Sequence, residues 1–220
     1  MPAKTVFLFD VDNTLLDNDA IADDLKHYLR REVGQEQEER YWAAFERIRA
    51  ELGYADYLGA LQRYRAEYPH DLRVLAAGEF LIEYPFADQL FPRALEVVRA
   101  ARRLGTAVIL SDGDVVFQPH KIRRSGLFLA VGGNVLVYVH KERELEDVKS
   151  RYPADHYVLI DDKLRILTAV KEAWGAQVTT VFPRQGHYAH DPKILAAYRA
   201  PDRTIAHIAD LLTDLEVVAA

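Results

Sequence analysis

Short apolar runs recur along the chain, and amphipathic segments separate them. Residues 6–9 are all apolar, and mostly apolar runs follow at residues 107–110, 135–139, 157–160 and 178–182. Such runs are typical of strands that helices cover on both faces of a parallel sheet. Several of the intervening segments carry apolar residues every three or four positions, which is the spacing of an amphipathic helix. The pattern therefore predicts an α/β fold built on a parallel sheet.

One intervening segment is far longer than the others. About a hundred residues separate the first strand from the second, although a parallel crossover needs only about a dozen. Apolar residues keep a helical spacing through residues 17–86, so the pattern predicts an inserted helical domain there. Residues 1–16 and 87–220 are then predicted to form the α/β core.

Two of the predicted strands end in paired carboxylates. Asp10 and Asp12 follow the first apolar run, and Asp161 and Asp162 follow the fourth. Ligands of a parallel sheet bind beyond the carboxyl ends of its strands, so both pairs are expected at one edge. Carboxylates held that close repel each other unless a cation or a shared proton is present. Oxygen ligands favour Mg²⁺, and a carboxylate beside such an ion can attack a phosphoryl group.

These motifs resemble those of the haloacid dehalogenase (HAD) superfamily. The Asp-x-Asp-x-Thr pattern at residues 10–14 resembles motif I, although an Asx turn closing a strand would also explain it. Ser111 and Asp112, after the second apolar run, resemble motif II, and the acidic pair at residues 161–162 resembles motif IV. An insertion directly after motif I resembles the helical C1 cap. The resemblance implies a phosphatase-type hydrolase with a Rossmann-like parallel-sheet core and an inserted α-helical cap.

The motif III lysine is harder to assign, because the Lys-Pro dipeptide of many capped HAD phosphatases is missing. Lys141 follows the third apolar run and is favoured, since a lysine there would offset carboxylate repulsion and bind phosphate as a point charge. Lys121 is the rival, and a solvated surface lysine is the ordinary alternative for either. Lys163 stands where a small or neutral residue is expected. It could face away, pair with Asp161 or replace part of the motif III function.

The resemblance implies a role in phosphoryl transfer for four residues. Asp10 would attack phosphorus and form an aspartyl-phosphate. Asp12 would protonate the leaving oxygen and then deprotonate the hydrolytic water. Ser111 and Lys141 would bind the phosphoryl oxygens and stabilise the charge that develops on them.

The resemblance also implies a Mg²⁺ cofactor and a small phosphorylated metabolite as substrate. The metal ligands would be Asp10, the backbone carbonyl of Asp12, Asp162 directly and Asp161 through a water. Further candidate substrate-binding residues are Asp112 and Asn18.

Three alternative functions stay open. A phosphomutase would retain all four motifs. A haloacid dehalogenase needs no metal, and its members lack the second carboxylate of motif I, so Asp12 argues against it. A catalytically silent binding protein on the same fold is the third, since fold does not fix function.

Charge and composition exclude some classes of binding partner and of metal site. The formal net charge is −6 and no basic stripe is present, which argues against a nucleic-acid partner. The chain has no Cys, so disulfides and thiolate metal sites are excluded. No apolar run approaches the length of a membrane span, and the N-terminal residues lack a signal-peptide pattern. We therefore expect a soluble cytoplasmic protein without a membrane partner, and the oligomeric state is left open.

Three further segments carry weaker predictions. Residues 128–131 predict a short strand, and the apolar positions from Ile205 to Leu215 predict one final amphipathic helix. The loop at residues 183–190 would lie at the carboxyl edge of the sheet. Its Arg184, Gln185 and His187 are candidates for shaping the pocket.

Overall fold

Six parallel strands form one sheet within residues 4–219, the part of the chain that the computed structural model describes. They are β1 Thr5–Phe9, β2 Thr106–Asp112, β3 Val135–Tyr138, β4 His156–Ile160, β5 Val178–Pro183 and β6 Arg203–Ile205. Their order across the sheet is β3-β2-β1-β4-β5-β6. The prediction of a Rossmann-like parallel sheet is confirmed, although residues 1–3 and 220 of the predicted core lie outside the described residues.

The central position of β1 follows from its composition. All five of its residues are buried, as expected for a strand that helices cover on both faces. Phe9 pairs with Ile109 of β2 on one side and with Ile160 of β4 on the other. β1 and β4 therefore end level, whereas β2 continues three residues further to Asp112, and the polar residues at these strand ends meet at one edge.

Helices cover both faces of the sheet and fill the long segment between β1 and β2. The first five helices lie in that segment, four of them within the insertion, and the remaining six follow within the described residues. They are α1 Asn18–Glu32, α2 Gln35–Leu52, α3 Tyr57–Glu67, α4 Leu75–Glu83, α5 Ala94–Leu104, α6 Phe117–Arg124, α7 Leu127–Ala130, α8 Leu145–Arg151, α9 Leu164–Trp174, α10 Pro192–Ala197 and α11 Leu211–Val218. Among these helices, none combines the length and the apolar character needed to cross a bilayer.

Local capping explains where two of the inserted helices begin. The Asp17 side chain accepts a hydrogen bond from the backbone N–H of Ala20 at the start of α1, at 2.9 Å. Asp56 does the same for Gly59 at the start of α3, at 2.6 Å. Each aspartate satisfies a backbone donor that the first helical turn leaves unpaired.

The two segments that connect the helical insertion to the sheet run side by side. The Asp17 N–H donates to the Gln89 carbonyl at 2.8 Å, and the Phe91 N–H donates to the Leu15 carbonyl at 3.0 Å. The chain therefore leaves and re-enters the sheet layer at one place. The insertion packs over the carboxyl edge of the sheet, where the rings of Tyr57 and Phe117 lie 5.8 Å apart.

Two of the weaker predictions are wrong. Residues 128–131 do not form a strand, because they belong to α7 and its end. Leu127 of this helix is buried whereas Leu129 is 78% exposed, and periodicity in so short an apolar run does not separate a strand from a helix. Ile205 ends β6 rather than starting the last helix, and α11 begins only at Leu211.

Candidate active site

Asp10 lies directly beyond the central strand, and the sheet fixes its backbone. Its N–H donates to the Ile160 carbonyl of β4 at 2.9 Å, which extends the strand pairing by one residue. Its side chain is buried, and its Oδ1 accepts a hydrogen bond from Lys141 Nζ at 2.5 Å. A short bond between an ammonium and a carboxylate is among the strongest that proteins form.

Lys141 reaches Asp10 from the end of β3 and is completely buried. Its Nζ also donates to the Leu110 carbonyl at 3.2 Å and lies 2.6 Å from Asp161 Oδ2. Its backbone N–H donates to Asp112 Oδ1 at 2.7 Å, so Asp112 anchors the turn that carries it. Burial alone would lower the pKa of Lys141, but Asp10 and Asp161 outweigh burial and raise it. Lys141 is therefore a permanent cation beneath Asp10.

Asp10, Asp161 and Asp162 form a compact acidic cluster. One carboxylate oxygen from each lies within 4.8 Å of the others. Both side-chain oxygens of Asp162, and Oδ2 of Asp10, are buried without a hydrogen-bond partner. Burial raises the pKa of Asp162 well above its ordinary value, and burial, opposed by Lys141, raises that of Asp161 to about 6.

Buried carboxylate oxygens without partners are costly unless a cation satisfies them. The acidic cluster presents such oxygens from Asp10 and Asp162 next to the Asp161 carboxylate, and oxygen-only donor sets suit Mg²⁺ and similar hard cations. The residues present therefore fit a divalent metal ion.

The backbone beyond Asp10 turns sharply, as the Asp-x-Asp-x-Thr pattern requires. The N–H groups of Leu15 and Leu16 both donate to the Val11 carbonyl, at 2.9 and 3.0 Å. Asn13 takes a left-handed conformation with φ of 59°, which Asn tolerates better than most residues. The Thr14 hydroxyl accepts the N–H of Asp162 at 3.0 Å. This last contact ties motif I to the acidic pair after β4.

Asp12 lies apart from the acidic cluster and has its own lysine. Its side chain is 22% exposed, and its Oδ1 accepts a hydrogen bond from Lys121 Nζ at 2.6 Å. Lys121 also donates to Asn18 Oδ1 at 3.1 Å. The side chain of Asp12 therefore does not join the other three carboxylates. Its backbone carbonyl is the only group of Asp12 that the family resemblance assigns to the metal.

Ser111 and Asp112 end β2 next to the hydrogen-bonded group of Asp12, Lys121 and Asn18. The Ser111 hydroxyl is buried and accepts a hydrogen bond from Gln118 Nε2 at 2.9 Å. Gln118 also lies 3.4 Å from Asp12 Oδ2. Sequence reasoning missed Gln118, although its position one turn before Lys121 on the helix after motif II was a readable signal.

A cavity of about 450 Å³ lies between the sheet edge and the helical insertion. Asp12, Asp112 and Lys163 line it from the sheet side. Asn18, from the start of α1, lines it as well. The aromatic and basic side chains of the insertion that line it are Trp42, Phe45, Arg49, Tyr54 and Tyr57. The sequence marked none of these five for function, because each also fits the apolar or solvent-facing pattern of a helix.

The loop at residues 183–190 borders this cavity through only part of its length. His187 lines the cavity, and its Nδ1 lies 2.7 Å from Asp19 Oδ1. Gln185 is buried and bonds to the Ile208 N–H and the Thr14 carbonyl, so its role is structural. Arg184 is exposed and does not line the cavity.

Comparison with known proteins agrees with this architecture. The model of the haloacid dehalogenase-like hydrolase family matches residues 4–173. No curated protein matches the chain. A haloacid dehalogenase-like hydrolase from Burkholderia xenovorans LB400 is 57% identical, with a TM-score of 0.94 over 100% of both chains.

More distant solved structures share the fold. The HAD-hydrolase YfnB from Bacillus subtilis, solved with bound magnesium, is 17% identical, with a TM-score of 0.63 over 97% of this chain and 99% of its own. The L-2-haloacid dehalogenase from Xanthobacter autotrophicus is 15% identical, with a TM-score of 0.62 over 97% and 98%. The family match covers most of the chain and includes every motif described above, and the chain therefore belongs to the haloacid dehalogenase-like hydrolases.

Proposed function

We propose that the protein is a Mg²⁺-dependent phosphohydrolase that cleaves a small phosphorylated metabolite through an aspartyl-phosphate intermediate. One observation carries the proposal. Asp10 is held by a buried lysine within a cluster of three carboxylates, in which Oδ2 of Asp10 and both oxygens of Asp162 lack hydrogen-bond partners. The half-buried carboxylate of Asp12 lines the cavity between the sheet edge and the insertion, together with Lys163, which directly follows the cluster. This combination suits a nucleophile, a cation site and an acid/base group in one site.

In the first step, an Asp10 oxygen forms a bond to phosphorus while the bond from phosphorus to the leaving oxygen breaks. Asp12 donates a proton to that oxygen, which leaves as an alcohol. Lys141 and Ser111 bind the nonbridging oxygens, whose charge is greatest in the transition state. A Mg²⁺ ion, held by Asp10, Asp161, Asp162 and the Asp12 carbonyl, would supply further positive charge at the phosphoryl group.

In the second step, water attacks the phosphorus of the aspartyl-phosphate and the bond to the Asp10 oxygen breaks. Asp12, now ionised, takes the proton from the water. Orthophosphate leaves and the Asp10 carboxylate is restored. In the structure Lys121 holds Asp12 at one oxygen, and Gln118 connects Asp12 to Ser111.

The cavity supports a small substrate. Its volume of about 450 Å³ falls in the range of about 300–1,000 Å³ that is usual for small-molecule pockets. Helices of the insertion cover it, so a folded phosphoprotein or a nucleic acid would not reach Asp10 without moving them. Trp42, Phe45 and Arg49 would contact the part of the molecule beyond the phosphate.

The decisive experiment measures the release of orthophosphate and the release of halide in parallel. Purified protein is incubated with a broad panel of phosphate monoesters and a panel of 2-haloacids, with Mg²⁺ or with a chelator. We expect orthophosphate release that requires Mg²⁺ and no halide release. Halide release that persists with the chelator would instead support a dehalogenase, which several solved structures of this fold are.

The same panel of substrates also distinguishes a phosphohydrolase from a phosphomutase and from a silent binding protein. A phosphomutase would convert one phosphorylated isomer into another with little net orthophosphate. A silent binding protein would bind Mg²⁺ and release neither product. Either result would overturn the proposal.

A further inference from the structure

Lys163 is an unexpected cation at the floor of the cavity. It follows the acidic pair directly and lines the cavity beside Asp12 and Asp112. Its backbone N–H donates to Asp161 Oδ1 at 2.8 Å, which fixes where the side chain starts. Its ammonium group makes no hydrogen bond or ion pair with any residue among 4–219.

The other cationic side chains around the cavity already have partners. Arg165 pairs with Glu142 at 2.5 Å, and Arg49 contacts Glu46 at 3.3 Å and the Tyr188 hydroxyl. His187 pairs with Asp19. Lys163 is half-buried as a residue, and its ammonium remains accessible from the cavity. Lys163 therefore keeps its donors for a group that enters the cavity.

The charges beneath the cavity favour an anion as that group. Asp10, Asp161 and Asp162 carry three negative charges when ionised, and Lys141 offsets one of them. A divalent cation bound to the acidic cluster would offset the other two. Lys121 offsets Asp12, and Lys163 is then a positive charge at the floor of the cavity that no residue among 4–219 pairs with, in surroundings that screen it less than bulk water does.

We propose that the Lys163 ammonium binds a nonbridging oxygen of the substrate's phosphoryl group, as a second phosphate-binding lysine beside Lys141. This inference rests on the proposed phosphohydrolase function and adds a ligand to it. The Lys141 ammonium already contacts Asp10, Asp161 and the Leu110 carbonyl, so a phosphoryl oxygen that it binds must replace or share one of these partners. The Lys163 ammonium has no such partner, so it adds a phosphate contact without giving up an existing one.

The test measures orthophosphate binding by isothermal titration calorimetry with saturating Mg²⁺. Lys163→Met is compared with the wild type, with Lys163→Arg, which keeps the charge, and with Lys26→Met, an exposed lysine of α1 remote from the cavity. We expect Lys163→Met to raise the orthophosphate Kd at least tenfold and to raise KM. Lys163→Arg should retain most of the affinity, and Lys26→Met should match the wild type.

A separate Mg²⁺ titration without phosphate tells a substrate ligand from a structural residue. Removing a positive charge beside the acidic cluster should leave Mg²⁺ affinity unchanged or increase it. An orthophosphate Kd for Lys163→Met within twofold of the wild type would overturn the inference, as would an equal loss of Mg²⁺ affinity. Lys163→Gln serves the same comparison if the Met variant folds poorly. If the wild type hydrolyses no phosphate monoester and binds no orthophosphate, the proposed function fails first and this inference with it.

Discussion

Replacing Lys141 with Met should destabilise the protein strongly, and the structure indicates by how much. The lysine is completely buried and compensates two carboxylates, Asp10 at 2.5 Å and Asp161 at 2.6 Å. Met fills a similar volume but leaves three buried carboxylates without a protein cation. Removing one partner of a buried ion pair costs about 3–5 kcal/mol. Because one lysine serves two carboxylates here, we expect the upper part of that range at pH 7 without metal.

The pH dependence of this loss follows from the sign of the pKa shifts. Burial raises the pKa of Asp161 and Asp162 in the folded protein, so the fold favours their neutral forms. A carboxyl group with a raised pKa in the folded state stabilises the protein at low pH and loses that contribution as pH rises through the raised pKa. Loss of Lys141 should raise both pKa values further. The deficit of Lys141→Met should therefore shrink between pH 7 and pH 5.

Urea denaturation followed by circular dichroism measures the free energy of unfolding of both proteins at pH 7 and pH 5, with chelator and with Mg²⁺. The matched control is Lys26→Met, which is exposed and should change stability by no more than about 0.5 kcal/mol. Mg²⁺ should restore part of the loss, since a ligand that binds only the native state stabilises it. A loss at pH 7 no larger than that of the control would show that Lys141 does not compensate the acidic cluster.

Four further predictions concern the site. Asp10→Asn should abolish phosphate release without loss of folding, because the amide is not nucleophilic; residual turnover in a folded variant would refute the assignment. Asp12→Asn should slow alkyl phosphates far more than activated aryl phosphates in steady-state assays, since only the former need a proton on the leaving oxygen; equal losses would contradict it. Asp162→Ala should reduce the rise in melting temperature caused by Mg²⁺ more than Asp161→Ala does, and an unchanged Mg²⁺ response in both would refute a metal site. Arg49→Ala should reorder substrate preference while sparing a small aryl phosphate, whereas Arg47→Ala, exposed on the same helix, should change neither.

The sheet and the acidic pairs were predictable because their signals are local. Continuous apolar runs identify buried parallel strands, and a carboxylate directly after such a run must lie at the carboxyl edge. The prediction failed where a run was too short for its period to be read, as in α7. It also failed at β6, where only Ile205 of the strand is buried.

The sequence favoured Lys141 for motif III but could not tell what each of the three lysines contacts, for a different reason. Lys121, Lys141 and Lys163 all lie between or beside the motifs, and each is compatible with a surface position. Their roles are told apart only by contacts between residues that are distant in the sequence. Lys121 contacts Asp12 across 109 positions, and Lys141 contacts Asp10 across 131. No periodicity or spacing encodes such pairs.

The contacts of these lysines divide the site into a fixed part and a part attached to the insertion. Asp10 is bonded to β4 through its backbone and to Lys141 through its side chain, and both partners belong to the sheet layer. Asp12 instead shares Lys121 with Asn18, and Asn18 Nδ2 donates to the Tyr57 hydroxyl of α3 at 3.2 Å. A rotation of the inserted helices would therefore disturb Asn18 and Lys121 before it disturbed Asp10. The nucleophile is set by strand pairing, whereas the acid/base group depends on how the insertion packs over the edge of the sheet.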